Sequence, residues 1–473
     1  MLSTLFVDGQ VPPCVLSRVL SLKGSGMLPL SEGGVVGEGL RVRVNRPAAF
    51  RSVLGEHGGL EEYLRASNQK EASVVVNCPA LHTKTDAPTA QTLSLGQLRT
   101  VLLADHMGAL LRRQGFLVSY CPKLAEDSDI ICFLETLGVD WPTVPASWTN
   151  ENGEQRIKEE LENCLYREDE SVKGRRVSGG RRESDESNGA VKINLTRVVQ
   201  EQGLLGYDPS IGTCTVQHEN VAHLAQLKLA ASDCMVSPTT VIHVTSCQDE
   251  FRQQQVAMLW RASGAAHTQR FLVCGPVKTP GSQLTAAQYL QLRRDQMKEA
   301  SEMKYGDQVE GDTGRSQKGS VSTKGPRGGV FVMYNCARLH TLFDSYERGV
   351  EKGLYPEIPD GSQLDFSALK EEGEWLLLFN YLIPFSELLD QSGQAVDCEG
   401  AGARLNIKTE QMCKFLVSLS KDFSSYYNRV HVLGEPLPHL FNQMFCRLYL
   451  LRALRELYHS ALETLNLPPV RQL

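Results

Sequence analysis

"TEQMCKFLVSLSKDFSSYYNRVHVLG", residues 409–434, runs from an amphipathic helix into a cluster of flat, hydrogen-bonding side chains. Its apolar positions recur at helical spacing, with Thr409 as an N-cap and Gly434 as a stop. Tyr426, Tyr427, Asn428, Arg429 and His431 crowd the end of the stretch. A helix packed by its aromatic edge is the plain reading; a surface that holds unstacked nucleotides is the sharper one. The neighbours decide the fold. "FVMYNCARLHTLFDSYERGVEKG" (331–353) reads as one helix closed by Gly353. "EGEWLLLFNYLIPFSELLD" (372–390) is a helix interrupted at Pro384. "PHLFNQMFCRLYLLRALRELYHSALETL" (438–465) carries a core-facing apolar stripe. Four such helices with short connections predict an antiparallel bundle over residues 331–473.

Upstream the period changes. "ASVVVNCP" (72–79) is a short β-branched run of the kind buried in parallel sheets. "SLGQLRTVLLADHMGALLRRQG" (94–115) is a helix, and "FLVSYCP" (116–122) the next strand, which makes a βαβ unit. "TTVIHVTSCQDEFRQQQVAMLW" (239–260) adds strand and helix, and "QRFLVCGPVK" (269–278) a further strand. The fold class is thus α/β followed by all-α. Residues 71–305 form the α/β domain, and residues 1–70 precede it as a glycine-rich region of turns around a strand. Gly34-x-x-Gly37-x-Gly39 there reads as turn glycines rather than a phosphate loop, because no strand-to-helix step surrounds it. Residues 165–190 are dense in charge and poor in large apolar side chains, so disorder is expected there, and residues 306–330 read as a polar, glycine-rich linker. Ser178 and Ser184 follow paired arginines in the manner of basophilic kinase sites, although a solvated linker explains the same residues.

Thirteen cysteines in 473 residues make no CxxC pair, and no histidine has metal-ligand spacing, so neither a disulfide framework nor a metal is expected. No cofactor motif stands out. The net charge of −6 argues against indiscriminate binding to polyanions and to DNA, while leaving room for a local basic patch. The bundle supplies one. Residues 331–400 hold 4 Lys and Arg against 13 Asp and Glu, 4 − 13 = −9, whereas residues 401–473 hold 9 against 5, 9 − 5 = +4. No apolar stretch is long enough to span a membrane and no signal peptide is evident, so a cytoplasmic location is expected, with the nucleus as a second compartment.

Four segments of the bundle resemble the anticodon-binding domain of arginyl-tRNA synthetases. "FVMYNCARL" (331–339) is similar to their Y-x-Q-Y-A-x-A-R helix, and "DFSSYYNRVHVLG" (422–434) to their F-x-x-x-Y-x-x-x-x-V-L-G segment. "RALREL" (452–457) resembles the D-A-L-R signature with Arg452 in place of its Asp, and "LNLPPVRQL" (465–473) the terminal L-G-I-x-x-P-x-x-M. The resemblance extends to a degenerate class I, Rossmann-like catalytic domain. Ser94 and Gln97 stand where the H-I-G-H histidines belong, and Lys278-Thr279-Pro280-Gly281-Ser282 stands for the lysine signature. Adenylation builds negative charge on a phosphate, and each lost donor removes about 10²–10³ in rate. The resemblance therefore implies a pseudo-enzyme with no catalytic residues. The chain as a whole resembles non-catalytic, synthetase-like proteins, which implies binding of arginine tRNAs and their delivery to a 3-methylcytidine tRNA methyltransferase of the methyltransferase-like group. The residues it implies at the RNA are Tyr334, Arg338 and Tyr427, with Arg429, His431, Arg452 and Arg455 as further candidates and Leu473 in place of the terminal methionine. An active arginyl-tRNA synthetase-like ligase and an RNA-independent scaffold are the alternatives.

Overall fold

The computed structural model describes residues 29–36, 39–55, 72–82, 89–168, 191–234, 239–277, 284–292, 294–295, 328–397, 403–405, 408 and 410–470. Lys278, Thr409, Ser178, Ser184, Leu473 and most of the expected insert and linker lie outside these residues.

A parallel four-stranded sheet forms the centre of the α/β part. Its strands are β3 (Ser73–Asn77), β4 (Leu117–Cys121), β5 (Thr239–Ser246) and β6 (Thr268–Cys274), in the order β6-β5-β3-β4. Alternation along β3 sends Val74 and Val76 to one face and Val75 to the other. The first face is covered by α2 (Leu95–Arg113), which buries Leu98, Val101, Ala104 and Met107. Helices α3 (Asp129–Glu135), α4 (Glu151–Glu162) and α5 (Leu195–Glu201) follow β4, and the second face is covered by α6 (His218–Ser232) and α7 (Glu250–Ala262), with Trp260 buried beneath it. The chain runs from β3 through α2 to β4, then returns to place β5 on the other side of β3. That reversal opens a crevice at the carboxyl ends of β3 and β5, where open α/β sheets bind ligands.

The N-terminal region differs from the expected turns. Leu30–Val36 (β1) and Gly39–Val44 (β2) form an antiparallel hairpin, with Gly34 and Gly39 inside its ladder. It leads into a helix, α1 (Arg46–Leu54), that the glycine-rich composition conceals. Asn45 caps it, its Oδ1 accepting from the Ala48 amide at 3.2 Å, and Pro47 fits the first turn, where no amide partner is needed. Phe50, Val53 and Leu54 then enter the core of the C-terminal bundle.

The bundle comprises α8 (Gly329–Glu351), α9 (Glu372–Leu377), α10 (Phe385–Asp397), α11 (Gln411–Arg429) and α12 (Pro438–Glu463). Gly353 ends α8 with a φ of 69°, which suits a residue without a Cβ. Pro384 separates α9 from α10. The chain absorbs it with a π turn over Leu378–Leu382, the Ile383 amide reaching back to the Leu378 carbonyl at 3.0 Å. Helix α11 starts after Glu410, whose side chain makes no cap bond, and ends at Arg429, so Val430–Gly434 is a loop rather than helix. Helix α12 is buried on more than its apolar stripe: Leu450, Ala453 and Leu457 are also inside. Helix α1 and a 3₁₀ turn at Phe366–Ala368 cover that second side, the Phe366 and Tyr449 rings meeting edge-on at 6.5 Å.

The two units share a polar seam. Asp105 and His106 of α2 meet Asn466 and Thr464 just past α12, and Arg113 meets Glu463. Asn466 has a φ of 52°, and Gly138 sits so close that a Cβ there would lie 2.8 Å from the Asn466 carbonyl oxygen. Arg167 and Glu168, placed in the insert by composition, instead join the α/β domain: Arg167 bridges Ile193 and the Glu168 amide donates to the Lys192 carbonyl at 2.9 Å.

Candidate nucleic-acid interface

Tyr334 and Arg338 lie one turn apart on α8, and Tyr427 lies near the end of α11. Packing of α8 against α11 brings all three together. The Arg338 guanidinium sits 4.4 Å from the Tyr427 ring centre and 5.2 Å from that of Tyr334. Its Nη2 donates to Asn428 Oδ1 at 2.9 Å and its Nη1 to Ser424 Oγ at 3.3 Å. These partners are two rings, an amide and a hydroxyl, so the contacts position the cation without neutralising it. Tyr334 is 41% exposed, while Tyr427 is half-buried and rests on Phe423 at 5.6 Å. An oriented guanidinium flanked by tyrosine rings can stack bases and hold a phosphate at once.

Tyr426 points the other way, into the core, where its hydroxyl donates to Glu374 Oε1 at 3.3 Å and burial pushes its ionisation far above the usual range. Glu374 is fully buried and is also paired with Arg447, Nε to Oε1 at 2.8 Å. Arg447 is thus a packing residue. Arg429 and His431 are exposed just beyond Tyr427; Arg429 Nε donates to the Ser425 carbonyl at 3.1 Å, and the His431 carbonyl accepts from Arg447 at 3.2 Å.

Arg452 and Arg455 do not join this group. Arg455 stacks on Phe343 at 4.3 Å and Arg452 on Tyr449 at 5.3 Å. Phe343 lies nine residues beyond Tyr334, half a turn round α8 and about 13 Å along it. Burial and the neighbouring Arg452 lower the Arg455 pKa, against which Glu456, Glu347 and Asp344 act. A ridge so compensated has less charge to offer a phosphate than the sequence alone suggests.

At the start of α2, whose Gln97 lines the α/β crevice, Ser94 and Gln97 are bound to each other. The Gln97 amide donates to Ser94 Oγ at 3.2 Å and the Ser94 amide to Gln97 Oε1 at 2.9 Å, a reciprocal cap at the start of α2. The crevice, about 450 Å³, is bordered by His82, Gln97, Lys123, His223, Arg252 and Gln253. Beneath it lies a polar knot that sequence spacing does not disclose. Asn77 Nδ2 is 2.9 Å from His243 Nδ1 and 3.3 Å from His223 Nε2, and its Oδ1 is 2.8 Å from His82 Nε2. His243 in turn meets Gln253 and Gln269, each at 3.0 Å. Burial lowers the pKa of His82 to about 3 and of His243 to about 4, and holds His223 well below its usual value. These rings are neutral near pH 7 and supply no imidazolium to a developing phosphate charge. The available signal was a polar residue, His243, inside the apolar run Val241-Ile242-His243-Val244.

The family of the DALR anticodon binding domain matches residues 332–473, and that of the DALR N-terminal domain residues 1–60. The chain is 63% identical to "DALR anticodon-binding domain-containing protein 3" of Danio rerio over 504 aligned positions, covering 100% of this chain and 90% of that protein. It is 41% identical to the Mus musculus protein of the same name, covering 99% and 91%. Among solved structures, the arginyl-tRNA synthetase of Thermus thermophilus superposes with a TM-score of 0.59 at 15% identity, covering 100% of this chain and 93% of that one. That of Plasmodium falciparum gives 0.54 at 11%, covering 97% and 89%. The likeness to the synthetases is one of fold, an α/β domain followed by a helical C-terminal region. Identity at this level over the full chain settles the family: the chain belongs to the DALR anticodon-binding domain-containing protein 3 family.

Proposed function

We propose that this chain is a non-catalytic tRNA-binding adaptor, which recognises arginine tRNAs through the anticodon loop and presents them to a 3-methylcytidine tRNA methyltransferase, in the cytoplasm and also the nucleus. The observation that carries the RNA reading is the Tyr334–Arg338–Tyr427 constellation on a bundle of the anticodon-binding family. Unpaired loop bases offer π faces to the tyrosines and phosphates to the guanidinium, whereas duplex RNA hides its bases. The absence of synthetase chemistry is supported by the Ser94–Gln97 cap, which commits both side chains at the helix start to backbone amides rather than to a phosphate.

The experiment is a binding titration of full-length protein with an arginine tRNA, a tRNA of another specificity and a random RNA of matching length. A preference for the arginine tRNA supports the reading, and equal affinity for all three sinks it. Arginine-dependent ATP–pyrophosphate exchange, measured on the same preparation, is expected to stay at background; robust exchange favours the ligase instead. Addition of the methyltransferase should yield a ternary complex that depends on the tRNA-binding face.

A further inference from the structure

We propose that Cys336, His340 and His459 form a binding site for one transition-metal ion of the zinc class. Cys336 and His340 lie one turn apart on α8, and His459 faces them from α12, 119 residues beyond His340. Sequence spacing cannot reveal such a set. The three donor atoms lie within 4.8 Å of one another. The two Nε2 atoms are 3.0 Å apart while the ring centres are 5.1 Å apart, with the rings within 15° of parallel. The imidazoles therefore meet nitrogen end to nitrogen end rather than face to face.

The donor set selects the ligand. One thiolate and two imidazoles suit Zn²⁺, with bonds of about 2.3 Å to sulfur and about 2.0–2.1 Å to nitrogen. A tetrahedral ion would hold the nitrogens roughly 3.4 Å and the sulfur roughly 3.6 Å apart from each other. The nitrogens need to part by a few tenths of an ångström and the sulfur to close by at most about 1.2 Å, within the reach of side-chain rotation. With no carboxylate in the set, Ca²⁺ and Mg²⁺ are disfavoured. Cys336 is fully buried and the histidines half-buried, which leaves the fourth position for water from the histidine side.

The surrounding charges are compatible. Burial pushes the Cys336 thiol up to about 11, while the Val470 backbone and Arg455 act to lower it. Arg455 opposes an incoming cation but favours the thiolate, and it faces Glu347, Asp344 and Glu456 as well. Tyr458 also lies near Cys336, and burial keeps its hydroxyl protonated. A bound ion would tie the first helix of the bundle to the last and fix the frame that carries Tyr334 and Arg338.

The test uses reduced, chelator-stripped full-length protein titrated with Zn²⁺ and, separately, with Co²⁺. One equivalent of Zn²⁺ and a rise in melting temperature are expected. Co²⁺ should give a sulfur-to-metal charge-transfer band and the strong visible bands of a tetrahedral site. Cys336→Ser should abolish the charge-transfer band, and His340→Gln should weaken binding by at least about 10–100-fold, the loss seen even when only a ligand's outer partner is disturbed. Cys132→Ser, at an exposed cysteine, should change nothing. Failure of Co²⁺ to give the charge-transfer band, or loss of that band in Cys132→Ser rather than Cys336→Ser, overturns the site. If Cys336→Ser misfolds by circular dichroism, the His340→Gln and His459→Gln variants carry the test, and unchanged stoichiometry and affinity in both refutes it. No RNA is needed, so the outcome is independent of the adaptor reading.

Discussion

Replacing Tyr334 with Ala separates RNA contact from folding more cleanly than any other change to the constellation. Tyr334 is 41% exposed, and its ring lies 5.2 Å from the Arg338 guanidinium. Losing one exposed cation–π contact costs about 0.5–1 kcal/mol of stability. Alanine's higher helix propensity returns up to about 0.7 kcal/mol at this position inside α8. The net change is below about 1 kcal/mol, so the melting temperature should fall by no more than about 2–4 °C. Binding should respond differently. If the ring stacks one loop base, its removal costs about 1–3 kcal/mol. At 1.4 kcal/mol per tenfold, the Kd for arginine tRNA should rise by about 5- to 140-fold. Fluorescence anisotropy at fixed ionic strength, with unfolding followed on the same preparations, reads both quantities. Tyr334→Phe keeps the π face and should bind within about twofold of the parent. An Ala variant that is folded and binds as tightly as the parent would refute the stacking role, and with it the geometric basis of the adaptor reading.

The pair Glu374–Arg447 should behave in the opposite way. Arg447→Ala leaves a fully buried carboxylate without its cation and should cost about 3–5 kcal/mol by urea unfolding, with a smaller loss if Glu374 is simultaneously made Gln. Equal losses in the single and double variants would contradict the buried-pair account. Ser94→Ala removes the cap of α2 and should cost about 0.5–2 kcal/mol while leaving tRNA affinity unchanged; a drop in affinity would assign the crevice to RNA binding. Acid should destabilise the α/β domain early. His82 and His243 have folded pKa values of about 3 and about 4, below the unfolded value of 6.5, so the unfolded state binds more protons and stability falls as pH drops from 6.5 towards 4, by up to about 1.4 kcal/mol per group per unit. Asp105, raised by burial to about 6, works against this loss, because its folded form gains a proton first. A urea midpoint that stays flat between pH 6.5 and pH 5 in both the parent and Asp105→Asn would count against the neutral-histidine knot.

The bundle was legible because burial imposed a period on it. The apolar positions of α8, α11 and α12 repeat at helical spacing, and Gly353 and Pro384 punctuate them where the chain turns or bends. The sheet was legible for the same reason, through β-branched runs such as Val74–Val76. Helix α1 was not, since its Asn45-Arg46-Pro47 start follows a glycine-rich hairpin and its apolar face completes a core formed by residues nearly 300 positions later. The tyrosine–arginine group could be named from segment resemblance, but its joint geometry depends on how α8 packs on α11. The histidine knot assembles from Asn77, His82, His223 and His243, which approach only when β5 inserts beside β3, so no local pattern announces it.

The bundle's charge balance also takes on a different meaning in three dimensions. A tally of −9 over residues 331–400 suggests a face that repels phosphate. Yet several of those carboxylates are committed. Glu374 is buried against Arg447, and Glu372 pairs with Arg46 of α1 at 2.8 Å. Asp360 and Asp365 accept bonds from Ser362 and Ser367, which hold their protons off at unusually low pH but turn their charge towards local amides and hydroxyls. Arg338 instead meets two tyrosine rings, an amide and a hydroxyl. What a loop phosphate would meet is therefore set by which charges remain uncompensated at the surface, not by the net count along the chain. On that measure the α8–α11 face presents an oriented cation inside a domain that is acidic in composition, which suits recognition of one folded RNA and not of polyanions at large.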